Sequence, residues 1–335
     1  MSGHQKTGLN VTTDVVSVSA PARLHLGFLD MHGGLGRRFG GIGMAVSAPA
    51  TRLGLTRAAT TLVEGPEKSR ARWHLEAMRA HLGISHHHHH LSITEVIPAH
   101  AGLGSGTQLA LAVAAALRRL NNLPLDPEGD AAFLGRGSRS GVGAGFFTEG
   151  GFLVDGGKAA RDLPPPVIAR LPFPPAWRVI LVLDPASEGF AGSAEVEAFE
   201  ALPAFPERDA ADICRLVLMQ ALPALAEADL PSFGTAITDI QRRVGSHFAT
   251  AQGGHFTSGK VAAAIARLAQ LGAVGTGQSS WGPTGFAFAG SLEEANRLVA
   301  GLRKTAEAEG LDIRIVEGRN TGATIDRQAR LADAV

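Results

Sequence analysis

The chain is poor in cysteine, has no surplus of either charge, and lacks a long apolar run. A single cysteine, Cys214, occurs among 335 residues. That excludes an intramolecular disulfide and a cysteine-rich metal site. Cys214 stands in "DICRLVLMQAL", which reads as a buried helix, so a small core residue is expected there rather than a nucleophile. Lys+Arg and Asp+Glu are equal at 31 each, so no global field recruits nucleic acid or an anionic membrane, and neither is expected as a partner. No stretch approaches the roughly 20 apolar residues of a spanning helix. Met1–Asn10 is polar, without the apolar centre of a signal peptide, and a cytoplasmic protein is the expectation. What remains is 45% hydrophobic and 19% charged, ordinary for a globular chain and long enough for two domains.

Periodicity divides the chain into strands and helices. Val15–Asp30 and Gly41–Ala58 alternate as strands. Ser69–Ile84 reads as a helix and His90–Ala99 as a strand. A buried helix over Gln108–Leu120 follows, then a shorter one over Glu128–Gly137, and Gly141–Gly157 reads as a glycine-rich loop and a strand. Six prolines in Arg161–Trp177 forbid regular helix and place the domain junction there. Beyond it come the strand Arg178–Ala186, helices around Asp209–Ala228 and Leu230–Val244, and an alternation of helix and strand to the end. The expected domains are 11–165 and 175–330, and the class is α+β rather than doubly wound. Five histidines, His86–His90, lie between a helix and a strand. Adjacent side chains on a loop do not converge on one ion, so a solvated turn is expected.

The chemistry concentrates in "PAHAGLGSGTQLALAV". Gly102, Gly104 and Gly106 permit backbone approaches that a Cβ obstructs. A helix starting near Thr107 aims its unpaired N–H groups and positive dipole end at the loop. Together these make a site for phosphate or pyrophosphate. Ser105 and Thr107 add hydroxyls able to donate to phosphate or to ligate Mg²⁺. The loop has no Walker lysine, and its spacing is not that of a dinucleotide fingerprint. Arg136, Arg139, Arg37 and Arg38 are candidates for a second anion grip through their planar forks. Asp184 and Glu188, after a buried strand, are metal or substrate candidates, whereas His247 and His255 read as structural or exposed.

Three segments in order along the chain resemble the GHMP superfamily of small-molecule kinases: "APARLHLGFLD", Pro98-x-x-x-Gly102-Leu103-Gly104-Ser105-Gly106, and "GTGQSSWGPTGFAF". The resemblance implies two domains, one like ribosomal protein S5 and one ferredoxin-like. Gly106-Thr107 departs from the Gly-Leu-Gly-Ser-Ser-Ala of the kinases. The segment "GRGSRSGVGAGFF" carries Arg136 and Arg139 where many of them carry an aspartate. Arginine is no general base near neutral pH, so phosphoryl transfer loses support. "LDMHGGLGRRFGGIGMAV", "IPAHAGLGSGTQLALAV" and "GQSSWGPTGFAF" are similar to the β-ribofuranosylaminobenzene 5′-phosphate synthases, superfamily members that are not kinases.

That resemblance implies condensation of phosphoribosyl pyrophosphate with 4-aminobenzoate or 4-hydroxybenzoate, releasing CO₂ and pyrophosphate, on the way to methanopterin-type carriers. It implies Mg²⁺ at the leaving oxygens, with Ser105 and Asp184 as metal candidates. Asp30 is expected as the acid partner of the reacting ring and Arg37 as the group orienting a carboxylate or the pyrophosphate. His25 faces either the site or the sheet. Arg23, Arg38, Gln278, Ser279, Ser280 and Trp281 are expected to contact ribose or benzoate. The rivals are an ATP-dependent kinase, a non-catalytic phosphosugar binder and a paralogue with a shifted substrate. A homodimer is left open.

Overall fold

Strand alternation in the first sixty residues produces two strands of unusual length that cross the whole first sheet. A computed structural model describes residues 12–137, 140–159, 164–190 and 192–331. The first elements are β1 (Thr12–Asp30), β2 (Phe39–Arg57), β3 (Leu62–Glu64), α1 (Lys68–His81), β4 (His89–Glu95) and α2 (Ser105–Leu120). After them come α3 (Pro127–Phe133), α4 (Val142–Thr148), β5 (Phe152–Asp155) and β6 (Val167–Leu171). Then follow β7 (Arg178–Leu183), α5 (Ser193–Ala201), α6 (Glu207–Leu216), a π turn (Val217–Ala221), α7 (Leu222–Glu227), α8 (Leu230–Gln252) and α9 (Gly259–Gln270). The chain closes with β8 (Val274–Gln278), β9 (Gly285–Ala289), α10 (Leu292–Leu302), β10 (Asp312–Val316) and β11 (Thr324–Leu331).

β1 and β2 form an antiparallel ladder from Val15↔Thr56 to Asp30↔Phe39. β2 then serves two partners, β5 through Ile42–Met44 and β4 through Arg52–Arg57. The first sheet runs β11-β1-β2-β4-β3, with β5 and β6 attached at the start of β2. The second runs β10-β7-β9-β8, antiparallel throughout. With helices after β7 and after β9, that order is a ferredoxin-like βαββαβ arrangement, and the class is α+β as the sequence indicates.

β11 departs from the sequence division. Residues 324–331 fall in the expected second domain, yet they pair with Thr12–Ser19 of β1. The polar run "TIDRQARL" supplies an edge strand whose partner lies at the opposite end of the sequence, a pairing that local pattern does not reveal. β6 likewise extends the first sheet just past residue 165.

Two cores result. One packs α1 and α2 on Val16, Val18 and Leu55 of the first sheet. The other joins Leu24, Leu26, Phe28 and Met44 of that sheet to Val179, Phe233, Ile240 and Phe288 of the second unit. The cluster built around Leu24 and Phe233 is continuous across both units, so they share one apolar interior.

Candidate active site

Helix α2 begins with a residue in the left-handed region. Its N-cap Gly104 has φ 79° and ψ 22°, no side chain caps the end, and no acid lies in the first turn. The N–H groups of that turn are therefore directed to whatever anion occupies the loop. The helix starts at Ser105, two residues before Thr107, which places Ser105, Gly106 and Thr107 inside its first turn.

Three guanidinium groups surround this end. A Cβ at Gly104 would lie 2.7 Å from Cγ of Arg23, and one at Gly106 would lie 3.1 Å from Arg136 Nη1 and 3.2 Å from Arg70 Nη2. The backbone N–H of Arg23 also donates to the carbonyl of Leu103 at 3.0 Å. Arg136 is half-buried, its Nε has no hydrogen-bond partner among the described residues, and burial together with Arg70 lowers its pKa. His74, one helical turn beyond Arg70 on α1, is buried, with Nδ1 also lacking a partner among the described residues. Burial, then Arg136 and Arg70, bring its pKa down to about 4, which keeps the ring neutral. Arg139 lies outside the described residues.

The loop is stitched to the second unit. Ser279 Oγ donates to the carbonyl of Gly102 at 2.8 Å and accepts from the backbone N–H of His25 at 3.0 Å. Gly102 has φ 73°, and a Cβ there would overlap the carbonyl oxygen of Ser279. The N–H of Gly189 donates to the carbonyl of His100 at 2.9 Å, which brings exposed Glu188 to the edge of the loop. Gln278 is buried, its Oε1 accepting from the N–H of Thr257 at 2.7 Å. Ser280, at φ 54°, donates its N–H to the carbonyl of His25 at 3.3 Å. Trp281 is buried, stacked on Phe248 at 4.1 Å between ring centroids and set edge-on to Phe199. These four residues thus knit the groove together from beneath.

His25 turns inward. Its ring lies 4.5 Å from that of Phe28 and lines an internal cavity of about 10 Å³ with Gln241, Gln252 and Gln278, room for about one water. Burial, then Arg23, hold its pKa well below the usual histidine value. Asp184 is committed elsewhere: one carboxylate oxygen accepts from Ser258 Oγ at 2.7 Å and the other from the N–H of Ala186 at 3.0 Å.

Asp30 and the two neighbouring arginines form a separate group. Asp30 ends β1, seven residues from Arg23, or about 20 Å of strand. Its Oδ1 accepts from the N–H groups of His32 (2.7 Å) and Gly33 (2.8 Å), closing the turn. Arg37 donates to the carbonyls of Gly156 (2.5 Å) and Gly157 (2.7 Å) and borders a cleft of about 680 Å³. Arg38 donates to the carbonyl of Met31 at 2.9 Å and lies 5.2 Å from the centre of the Phe39 ring. Phe39, Phe28 and Phe199 then form a chain of tilted and edge-on rings towards Phe248 and Trp281. Buried Asp155 fixes Ser140 and Gly141 at the start of α4. Its Oδ2 accepts from Ser140 Oγ (2.8 Å) and the N–H of Gly141 (2.9 Å), and its Oδ1 from the N–H of Gly157 (2.9 Å).

Sequence reasoning missed Arg70, His74 and Asp155. The signal for the first two was present: His74 interrupts the buried stripe Ala71, Leu75, Met78 of α1, and Arg70 precedes it by four residues. Two other expectations need correction. Cys214 is exposed, because α6 buries Ala210 and Ile213 instead, although the Cys214 sulfur still lies 3.8 Å from the carbonyl of Leu29. The histidine turn is only partly solvated, because β4 begins at His89, which is fully buried, while His90 meets Glu64 at 2.9 Å. A cleft of about 810 Å³ built on β1, β2, β4 and β11 includes none of the motif residues.

Residues 69–148 match the GHMP kinases N terminal domain, and residues 221–308 match the GHMP kinases C terminal domain. A beta-ribofuranosylphenol 5′-phosphate synthase of Archaeoglobus fulgidus is 34% identical over 328 residues, covering 93% of this chain and 100% of the relative. One from Methanothermobacter thermautotrophicus is 32% identical, covering 91% and 97%. Among solved structures, homoserine kinase from Cytophaga hutchinsonii has a TM-score of 0.67 at 17% identity, covering 97% of this chain and 100% of that one. Mevalonate diphosphate decarboxylase from Staphylococcus aureus has a TM-score of 0.67 at 16% identity, covering 94% and 98%. At those identities the likeness is one of fold.

Proposed function

The chain belongs to the beta-ribofuranosylphenol 5′-phosphate synthase family, and on that footing we propose that it is a decarboxylating phosphoribosyltransferase. The substrates we assign are phosphoribosyl pyrophosphate and a para-substituted benzoate. The names of the relatives describe a phenol product, so 4-hydroxybenzoate takes precedence over 4-aminobenzoate. The observation that carries this reading is the uncapped, acid-free start of α2 beneath Arg23 and Arg136. An end so arranged supports binding of a multiply charged phosphate, and the segment that carries an aspartate in many kinases carries Arg136 here.

In the proposed reaction the bond from ribose C1 to the pyrophosphate oxygen breaks, and the α2 amides with the two guanidiniums stabilise the departing charge. The ring carbon bearing the carboxylate attacks C1. The resulting cation spreads onto the para oxygen, and loss of CO₂ returns the bonding electrons to the ring. Asp30 is assigned to the charge at the para position, and Arg37 and Arg38 to orientation of the acid. Their grip must stay modest, since tight binding of the carboxylate in the ground state opposes its release. His25 acts from below, holding Ser279 and Ser280 through its backbone.

No group of three or more His, Cys, Asp or Glu side chains among the described residues is disposed to hold a metal. We assign Mg²⁺ to the donor's phosphates, where it would keep most of its waters and take one or two protein oxygens. Ser105 and Glu188 are assigned to it in preference to Asp184, whose two oxygens already accept from Ser258 and Ala186. Such a Mg²⁺ would neutralise the leaving pyrophosphate.

The test is direct. The protein is incubated with Mg²⁺, phosphoribosyl pyrophosphate and carboxyl-labelled 4-hydroxybenzoate or 4-aminobenzoate. Labelled CO₂ and pyrophosphate are expected in equal amounts. Release from neither acid, or phosphorylation of an acceptor by ATP instead, defeats the assignment.

A further inference from the structure

We propose that Arg70 and His74 of α1 close with Arg136 over the first turn of α2 as a clamp for a pyrophosphate group, and that position 106 is glycine to admit it. This rests on the reading of the site as one for a phosphoribosyl donor. Both guanidiniums converge on the point where a residue-106 side chain would begin, 3.1 and 3.2 Å from the Cβ position. They arrive from different elements, Arg70 from α1 and Arg136 from the segment after α3. Two cations are thus held together at the positive end of a sixteen-residue helix. Glu67, 3.0 Å from Arg70, is the one carboxylate paired with either among the described residues.

Such a cluster is repulsive until an anion enters it. His74 completes it: the ring is 1% exposed, and its Nδ1 has no partner among the described residues. A neutral imidazole adds a hydrogen-bonding edge without a third charge. One phosphoryl group on the α2 amides leaves the next within reach of two forks, so the arrangement selects a diphosphate over a monophosphate. The Gly106 departure from the kinase loop thereby gains a physical cause. An ordinary side chain there meets the ends of both arginines.

Calorimetric titration of the full chain with inorganic pyrophosphate and with inorganic phosphate, each in Mg²⁺ buffer, tests the clamp. Arg70→Gln is expected to weaken pyrophosphate about tenfold and phosphate far less, with Arg70→Lys restoring only part. Arg72→Gln, on the same helix in an exposed pair with Glu76, is expected to change neither. Gly106→Ala should raise the pyrophosphate Kd severalfold with an unchanged or higher melting temperature, because alanine is the better helix former. His74→Gln should weaken pyrophosphate by a smaller factor. An unchanged pyrophosphate Kd in Arg70→Gln, or equal losses for the two anions, overturns the clamp. Binding needs no turnover, so the two readings separate. Selective loss of pyrophosphate in a chain that releases no CO₂ defeats the synthase and keeps the clamp, and CO₂ release with no effect of Arg70→Gln does the reverse.

Discussion

Ser279 makes two bonds across the groove, and both are buried or half-buried. Replacing it with alanine leaves the Gly102 carbonyl and the His25 N–H without that partner, at a cost of about 2 kcal/mol. Ser279→Ala should therefore melt a few degrees lower and bind pyrophosphate more weakly; a melting curve that superimposes on the wild type contradicts the role. Asp30 poses a different question at the same scale, because its carboxylate already closes a turn with His32 and Gly33. Asp30→Asn keeps one acceptor for that turn. If Asp30 meets the reacting ring, kcat should fall at least a hundredfold with little change in pyrophosphate affinity. Wild-type turnover would leave it a turn residue. Single residues were legible in the sequence when their type alone fixed their task, as at Gly102 and Gly104. They were illegible when neighbours from another element decided it, as for Arg70 and Asp155.

Among the elements, α4 shows best why the sequence misled. "GVGAGFF" reads as a glycine-rich loop, yet Val142–Thr148 is helical. Its glycines serve close packing rather than turning. A Cβ at Gly143 would sit 3.1 Å from Thr107 Cγ2, and one at Gly145 would sit 2.7 Å from Leu153 Cδ1. Gln108 Nε2 donates to the carbonyl of Gly143 at 2.8 Å, locking α4 beneath the start of α2. Asp155 governs the approach to α4 by accepting from Ser140 and Gly141. Burial, the largest effect, pushes its pKa up, and the hydrogen bonds pull the other way. Asp155→Asn replaces an acceptor with a donor opposite one of these contacts. A loss of about 2 kcal/mol is expected in urea unfolding, together with a higher KM for the phosphoribosyl donor. An unchanged KM would detach Asp155 from the donor site. The long amphipathic helices and the phosphate loop were readable because their signals are periodic and local; α4 and β11 depend on partners remote in sequence.

At the scale of the whole molecule, three buried histidines set an acid limit. His25, His74 and His89 are each pushed down chiefly by burial, the latter two to about 4 from 6.5. Between those values the unfolded chain takes up protons that the folded chain refuses. Stability is therefore full above about pH 6.5 and falls as pH drops towards 4, by up to about 1.4 kcal/mol per pH unit for each group. Melting temperatures at pH 7 and pH 5 should differ by several degrees, and His89→Leu should reduce the difference; a flat profile would contradict the burial. The pairing of β1 with β11 carries a further consequence. Thr12 faces Leu331 across one ladder, so β1 waits beside an open edge until β11 has been synthesised. The entire second unit is in effect a loop spliced into the first. Such a chain defers this long-range contact until the whole second unit has been made, so the first sheet is begun before the second and completed after it.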